Sequence, residues 1–223
     1  PAGITLYKNL AIPKNELKIL IQINKLGDNY MDEKIGISDL ITIAIFTVIL
    51  FIVMFTFGML GYIPILMFGL PVILSIICGI PFMLFLTKAN KFGMVTILSL
   101  LIGLIFFGTG HTGVPIISFT ICGFIADLIL RKGNYTSVKN TYFAYATYCL
   151  GVMGNMIPMF IMKDYYFSMM SSQMGKEYTD IVMLYVTNES FFVLLIATFI
   201  AGLIGAYIGR LLLKKHFEKA GIV

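Results

Sequence analysis

The stretch Leu40–Phe57, LITIAIFTVILFIVMFTF, runs for 18 residues without one charged side chain. In hydrocarbon a backbone must satisfy its own hydrogen bonds, so an apolar run of about 20 residues reads as a membrane-spanning helix. Working outward, the same reading applies to Ile63–Leu86, Phe92–Phe107, Val114–Leu130, Tyr142–Met162 and Phe191–Leu213. The composition agrees. Hydrophobic residues make up 59% and charged residues 12%, and the mean hydropathy is +0.94, which excludes a soluble domain with a water-facing surface. The sequence therefore predicts an all-α membrane protein with six transmembrane helices.

The segments between the runs differ in charge. Gly58–Tyr62 and Gly108–Gly113 carry none, whereas Lys88 and Lys91, then Arg131, Lys132 and Lys139, then Arg210, Lys214, Lys215 and Lys219 fall in alternate segments. Basic loops stay cytoplasmic, so both termini are expected inside the cell, with the protein in a bacterial plasma membrane. The net charge of +5 then serves topology and contact with anionic headgroups rather than nucleic acid, because it is scattered over short loops.

Residues 1–30 are polar and match neither a signal peptide nor a span. Met31 is followed by Asp32, Glu33 and Lys34, and Gly27-Asp28 can be encoded by a purine-rich string at the spacing of a ribosome-binding site. Residues 1–30 are thus expected to be leader sequence or a flexible extension, with 31–223 as the transmembrane domain.

Within the runs, signals for packing outnumber signals for chemistry. Ala197, Ala201, Gly205 and Gly209 recur at every fourth position, a spacing that admits a second helix close to the backbone. That neighbour is either part of the same bundle or a partner subunit. Pro64, Pro71 and Pro81 interrupt the second run, as in helices that kink beside a cavity. Asp127 is an acid well inside a run, a functional candidate by default, but Arg131 four residues on fits an interfacial ion pair. His111 lies in a glycine-rich, uncharged loop, Gly108-Thr109-Gly110-His111-Thr112-Gly113. Tyr166, Met169, Met170 and Met174 share one helical face, which suits either a helix on the membrane surface or an adaptable lid over a ligand.

Cys78, Cys122 and Cys149 sit in three separate runs, so neither a metal cluster nor a disulfide framework is expected. The sequence has no phosphate-binding G-x-x-x-x-G-K-[ST] loop, no H-E-x-x-H and no G-x-S-x-G. No catalytic residue, metal or cofactor is assigned, and the chain is not read as an enzyme.

Several motifs carry a family resemblance: Gly58–Met67 (GMLGYIPILM), Gly79–Lys88 (GIPFMLFLTK), Thr109-Gly110-His111, Ala126–Leu130 (ADLIL), and the close from Gly205 through Gly209-Arg210 to Gly221. In order and spacing they resemble the Trep_Strep family of integral membrane proteins. That family is similar to the substrate-binding S components of energy-coupling factor (ECF) transporters. The resemblance implies a six-helix bundle that captures a vitamin or similar micronutrient at the outer face. It also implies partners, a membrane T-component scaffold and two cytoplasmic ATPases, which drive toppling and inward release. By position, the implied ligand contacts are Thr109, His111, Thr112, Asn155, Tyr165, Tyr166 and Asn188. S components often dock through A-x-x-x-A on the first helix, but here Ala44 is followed at that spacing by Val48. Two alternatives stay open: a porphyrin or haem uptake subunit, prompted by His111 and the Met/Tyr-rich loop, and a non-transporting scaffold or accessory subunit.

Overall fold

The computed structural model describes residues 34–219, with side chains to Lys215. The expectations for residues 1–30 and for a start at Met31 lie outside the described residues. From Ile37 onward the described chain is all helix and turn, and this unit alone is considered below.

Helix α1 (Ile37–Gly58) runs into a 3-10 turn, Met59–Tyr62. Ile63 is extended, and Pro64, with no N–H to lose and φ already fixed, opens α2 (Pro64–Ile77). Helix α3 (Gly79–Leu86) continues it after one residue. Gly93, at φ +97°, turns the chain into α4 (Met94–Gly108). Next come α5 (Val114–Lys132) and α6 (Val138–Cys149), the latter capped by the Ser137 side chain on the Asn140 N–H. A second 3-10 turn, Leu150–Asn155, leads to α7 (Ile157–Ile161). Helices α8 (Lys163–Met174) and α9 (Lys176–Tyr185) form a hairpin around Gly175, and α10 (Asn188–Lys219) closes the chain.

The expected six spans are corrected to four candidates long and apolar enough to cross a membrane: Ile37–Tyr62, Pro64–Leu86, Val114–Lys132 and Asn188–Lys215. Helix α4 has only 15 residues, about 22 Å at 1.5 Å per residue, against a hydrocarbon core about 30 Å thick. The run Tyr142–Met162 is not one helix. It breaks over Leu150–Asn155, where Gly151 and Gly154 precede Pro158, whose ring and missing N–H oppose a continuous helix.

Close backbone contact holds the elements together. A Cβ on Gly205 would run into the Ser75 carbonyl and the backbone of Ile76, and one on Gly209 would lie 2.8 Å from the Gly79 carbonyl carbon. A Cβ on Gly202 would meet Ala146 Cα at 2.7 Å. Gly205 and Gly209 of the small-residue ladder thus lie against α2 and α3, within the chain's own bundle. Ala201 is buried and Ala197 half-buried, whereas Ala44 is exposed on α1 beside exposed Val48. Buried Phe82 stacks close to Tyr148 (ring centroids 4.4 Å apart), and Phe119 and Phe106 extend this aromatic row. The Tyr145 hydroxyl is satisfied by the Ser75 carbonyl at 2.7 Å.

The expected Asp127–Arg131 ion pair is also corrected. Asp127 is fully buried, and its carboxylate accepts from Thr96 N (2.7 Å), Thr96 Oγ1 (2.5 Å) and Val95 N (3.4 Å). These are the second and third residues of α4, whose N–H groups have no intrahelical partner. Asp127 therefore caps α4 from a neighbouring helix, with its negative charge at the positive end of the helix dipole. Arg131 lies over the Phe92 ring instead, 5.4 Å from its centroid. On the same side, Lys91 pairs with Asp39 at 2.9 Å, which joins the start of α1 to the loop before α4.

Two substitutions check this packing. Gly205→Ala puts a methyl group into the α2 backbone and is expected to cost about 1–3 kcal/mol, read as a lower melting temperature in detergent. Gly69→Ala, where a Cβ meets nothing within 4 Å, is expected to leave it unchanged; equal effects would refute the tight contact. Asp127→Ala is expected to destabilise by about 1–3 kcal/mol through the orphaned N–H groups, with Arg131→Ala near neutral. An ion pair would make the two losses similar.

Candidate ligand-binding site

The site begins where α6 breaks. Glycine at 151 and 154 lets the Leu150–Asn155 turn lie directly on α5: a Cβ on Gly151 would sit 3.0 Å from Phe119 Cα, and one on Gly154 would overlap the Ser118 hydroxyl. Ser118 Oγ donates to the Gly151 carbonyl at 2.9 Å, replacing part of what the lost helix would have supplied. The turn delivers Asn155, whose Nδ2 reaches only the Val152 carbonyl at 3.4 Å. Asn155 Oδ1 is buried and has no hydrogen-bond partner.

Asn155 lines a cavity of about 420 Å³. One wall is the end of α1 and its 3-10 turn, with Met54, Phe55, Met59 and Tyr62; another is α2, with Met67, Leu70 and Leu74. Phe106, Thr109 and His111 come from the end of α4 and the loop after it. The α8–α9 hairpin adds Tyr166, Met169, Met170, Gln173, Met174 and Tyr178. Phe167, Met170, Val182 and Val186 of that hairpin bury into one cluster with Met156 and Met159, and full burial of such side chains contributes roughly 1.5–3 kcal/mol each. The Tyr178 hydroxyl donates to the Gly61 carbonyl, with Met67 Sδ 2.8 Å away, and so ties the hairpin to the turn after α1.

The chemistry of the cavity is apolar with a few polar points. Seven methionines line it, and no Asp, Glu, Lys or Arg does. Gly110 at φ +97° folds the loop back, so that the His111 ring packs edge-on against Phe106 (5.1 Å between centroids) and its Nδ1 lies 3.3 Å from Thr109 Oγ1. Although His111 keeps an exposed face, partial desolvation holds the imidazole below the ordinary histidine range, partly offset by the Phe106 carbonyl. Burial likewise pushes the Tyr166 phenol up, and burial plus the neighbouring Tyr166 takes Tyr178 to about 12. All three are therefore neutral at physiological pH. Among the described residues no group of three or more His, Cys, Asp or Glu side chains could hold a metal ion.

Of the residues expected from sequence, Thr109, His111, Asn155 and Tyr166 meet in this one cavity. Thr112, Tyr165 and Asn188 are not among its lining; Tyr165 and Asn188 are exposed, and Thr112 is half-buried. The Tyr166–Met174 face does line the cavity. Tyr178, Gln173 and the methionines of α1 and α2 were not foreseen, because no local pattern links residues so far apart in sequence.

Most of the basic residues occupy the opposite end, whereas Lys163 and Lys176 open α8 and α9 beside the acidic Asp164 and Glu177. Lys88 and Lys91 follow α3, Arg131 and Lys132 end α5, Lys139 starts α6, and Arg210, Lys214 and Lys215 lie in the last turns of α10.

The neutral His111 has a measurable consequence. Because its folded value lies below that of an unfolded histidine, its stabilising contribution is complete above the unfolded value and is lost as pH falls through the folded one. In carbon-detected NMR of histidine-labelled protein, the signal removed by His111→Gln is expected to titrate below the ordinary histidine value. Titration at or above it would contradict the partly desolvated, neutral ring.

No curated protein and no solved structure matches the chain. One family model does, over residues 37–219, described as a hypothetical bacterial integral membrane protein (Trep_Strep). A match over most of the sequence, joined to an all-helical multi-pass fold, shows that the chain belongs to the Trep_Strep family of bacterial integral membrane proteins.

Proposed function

We propose that this protein is the substrate-binding S component of an ECF-type importer, which captures a small organic micronutrient in the cavity between α1, α2, α4 and the α8–α9 hairpin. The observation that carries this reading is the cavity itself, about 420 Å³, within the range of small-molecule sites and built as they are, of apolar walls with a few polar groups. It lies at the end away from the basic residues of α3–α6 and α10, and the two lysines of the hairpin, Lys163 and Lys176, are offset there by Asp164, Glu177 and Asp180. With basic ends inside, the cavity opens outward, as capture from the surroundings requires. The sequence has no nucleotide-binding phosphate loop, so the energy for release is supplied by partners: a T-component scaffold and two ATPases, which topple the loaded subunit.

A scaffold without a ligand gives no use to a cavity with an unpartnered amide oxygen. A porphyrin draws on His111 and the methionines, a familiar axial pair for haem iron. Yet no cationic side chain lines the cavity to meet the two carboxylates of haem. A neutral organic ligand fits better.

Purification of the tagged protein from its native membrane in mild detergent, followed by mass spectrometry, tests the assignment. Two ATPases and a helical membrane scaffold are expected to accompany it. Recovery with an unrelated membrane partner and no ATPase would sink the importer reading, and a Soret band on the purified protein would favour the porphyrin.

A further inference from the structure

We propose that the cavity selects a neutral, flat heteroaromatic ligand, and that Asn155 selects it by accepting a hydrogen bond from a ring N–H. This deepens the capture reading and rests on it only in taking the cavity as the ligand site.

Three observations converge. The first is charge: no ionised side chain lines the cavity, and an ion brought into so apolar a site without a partner pays a desolvation penalty that its contacts cannot offset. The buried part of the ligand is therefore neutral. The second is the wall. Seven thioethers and the rings of Phe55, Phe106 and Tyr62 surround the space; sulfur packs favourably against aromatic rings, and flexible methionines close around a flat outline. A saturated ligand would gain none of the ring-specific attraction.

The third is the orphan. Asn155 Oδ1 is a buried acceptor with no partner, on a residue whose neighbours are otherwise bonded: Ser118 to Gly151, Thr109 to the Phe106 carbonyl. Buried polar groups left unpaired in a folded protein are few, and each calls for an explanation. The Leu150–Asn155 break is the feature that places Asn155 in the cavity wall, where a rotation of its side chain presents this shielded acceptor to a ligand. A ring N–H satisfies it, whereas an N-methylated ring leaves it unpaired. Of the other polar liners, His111, the Tyr166 hydroxyl and the Gln173 amide can donate to ring carbonyls or nitrogens, so a ring with both N–H and acceptor edges fits.

The test uses the full chain in lipid nanodiscs and two probes, 2-quinolone and alloxazine, each beside its N-methylated counterpart. Empty nanodiscs correct for partition into lipid. Because the chain has no tryptophan, probe fluorescence is read without interference. At least one parent probe is expected to bind about tenfold or more tighter than its methylated form, the scale of a lost buried hydrogen bond. Asn155→Leu is expected to weaken the parent by a similar factor and leave the methylated form unchanged. Should that variant fail to fold, the ratio measured on the natural protein decides alone. Equal affinity of parent and methylated probes overturns the role of Asn155. Absence of binding by both parents, or tighter binding of the anionic quinoline-4-carboxylate, overturns the ligand class. Each of these leaves the importer reading to the co-purification experiment, which fails or succeeds independently.

Discussion

Hydrocarbon offers no hydrogen bonds, and that constraint decides where this chain is helical and what is needed wherever it stops being so. An unsatisfied backbone group in an apolar medium costs several kcal/mol, set against a net folding stability of about 5–15 kcal/mol. Very few can be left bare. At the start of α4 the buried Asp127 carboxylate receives the second and third N–H groups of the helix. At the α6 break the Ser118 hydroxyl takes the Gly151 carbonyl. In each case a side chain from a neighbouring helix replaces a bond that the local backbone cannot make. Secondary structure and tertiary contact are therefore secured by the same few residues.

Association of the helices rests on a second consequence of the same medium. Lipid tails are as apolar as leucine, so helices gain little by hiding from them and must gain by fit. Gly79, Gly205 and Gly209 bring α10 against α2 and α3 until only hydrogen atoms fit between the backbones. That contact holds the framework of Phe82, Tyr148, Phe119 and Phe106, whose rings lead from the packed interior to His111 at the cavity. The exposed face of α1, with Leu40, Ile41, Ile45, Val48 and Ile52, needs no such fit, since lipid suffices for it.

Much of the fold was legible in the sequence, because length and hydropathy report directly on transfer into a bilayer. Four apolar runs appear as candidate spans. The runs around Phe92–Phe107 and Tyr142–Met162 do not, since hydropathy counts apolar residues and is blind to where the backbone breaks or ends early. Asp127 and Arg131 have the spacing of a pair, but the competing partner, Thr96, lies 31 positions away and is invisible to local spacing. Thr109, His111, Asn155 and Tyr166 were expected near a ligand through the family resemblance and line the cavity, whereas Thr112, Tyr165 and Asn188, expected on the same ground, do not. The methionines of α1 and α2 were not foreseen, because 14 methionines spread over the chain look alike until the fold gathers seven at one place.

The two segments that fail as spans also supply part of the site. Helix α4 ends at Gly108 and hands over to Thr109 and His111; the broken α6–α7 segment supplies Val152, Asn155 and Met156. Had each run on as a continuous helix, its carbonyls would have been bonded along the axis and its polar side chains forced toward neighbours or lipid. Early termination frees loop and turn backbone to carry polar groups into an otherwise apolar space. The cost is met by Ser118 and Asp127, which lie on α5, a long helix that touches both short segments. A stiff, complete span thus braces two incomplete ones, and three of the polar groups at the cavity, Thr109, His111 and Asn155, belong to or directly follow the incomplete pair.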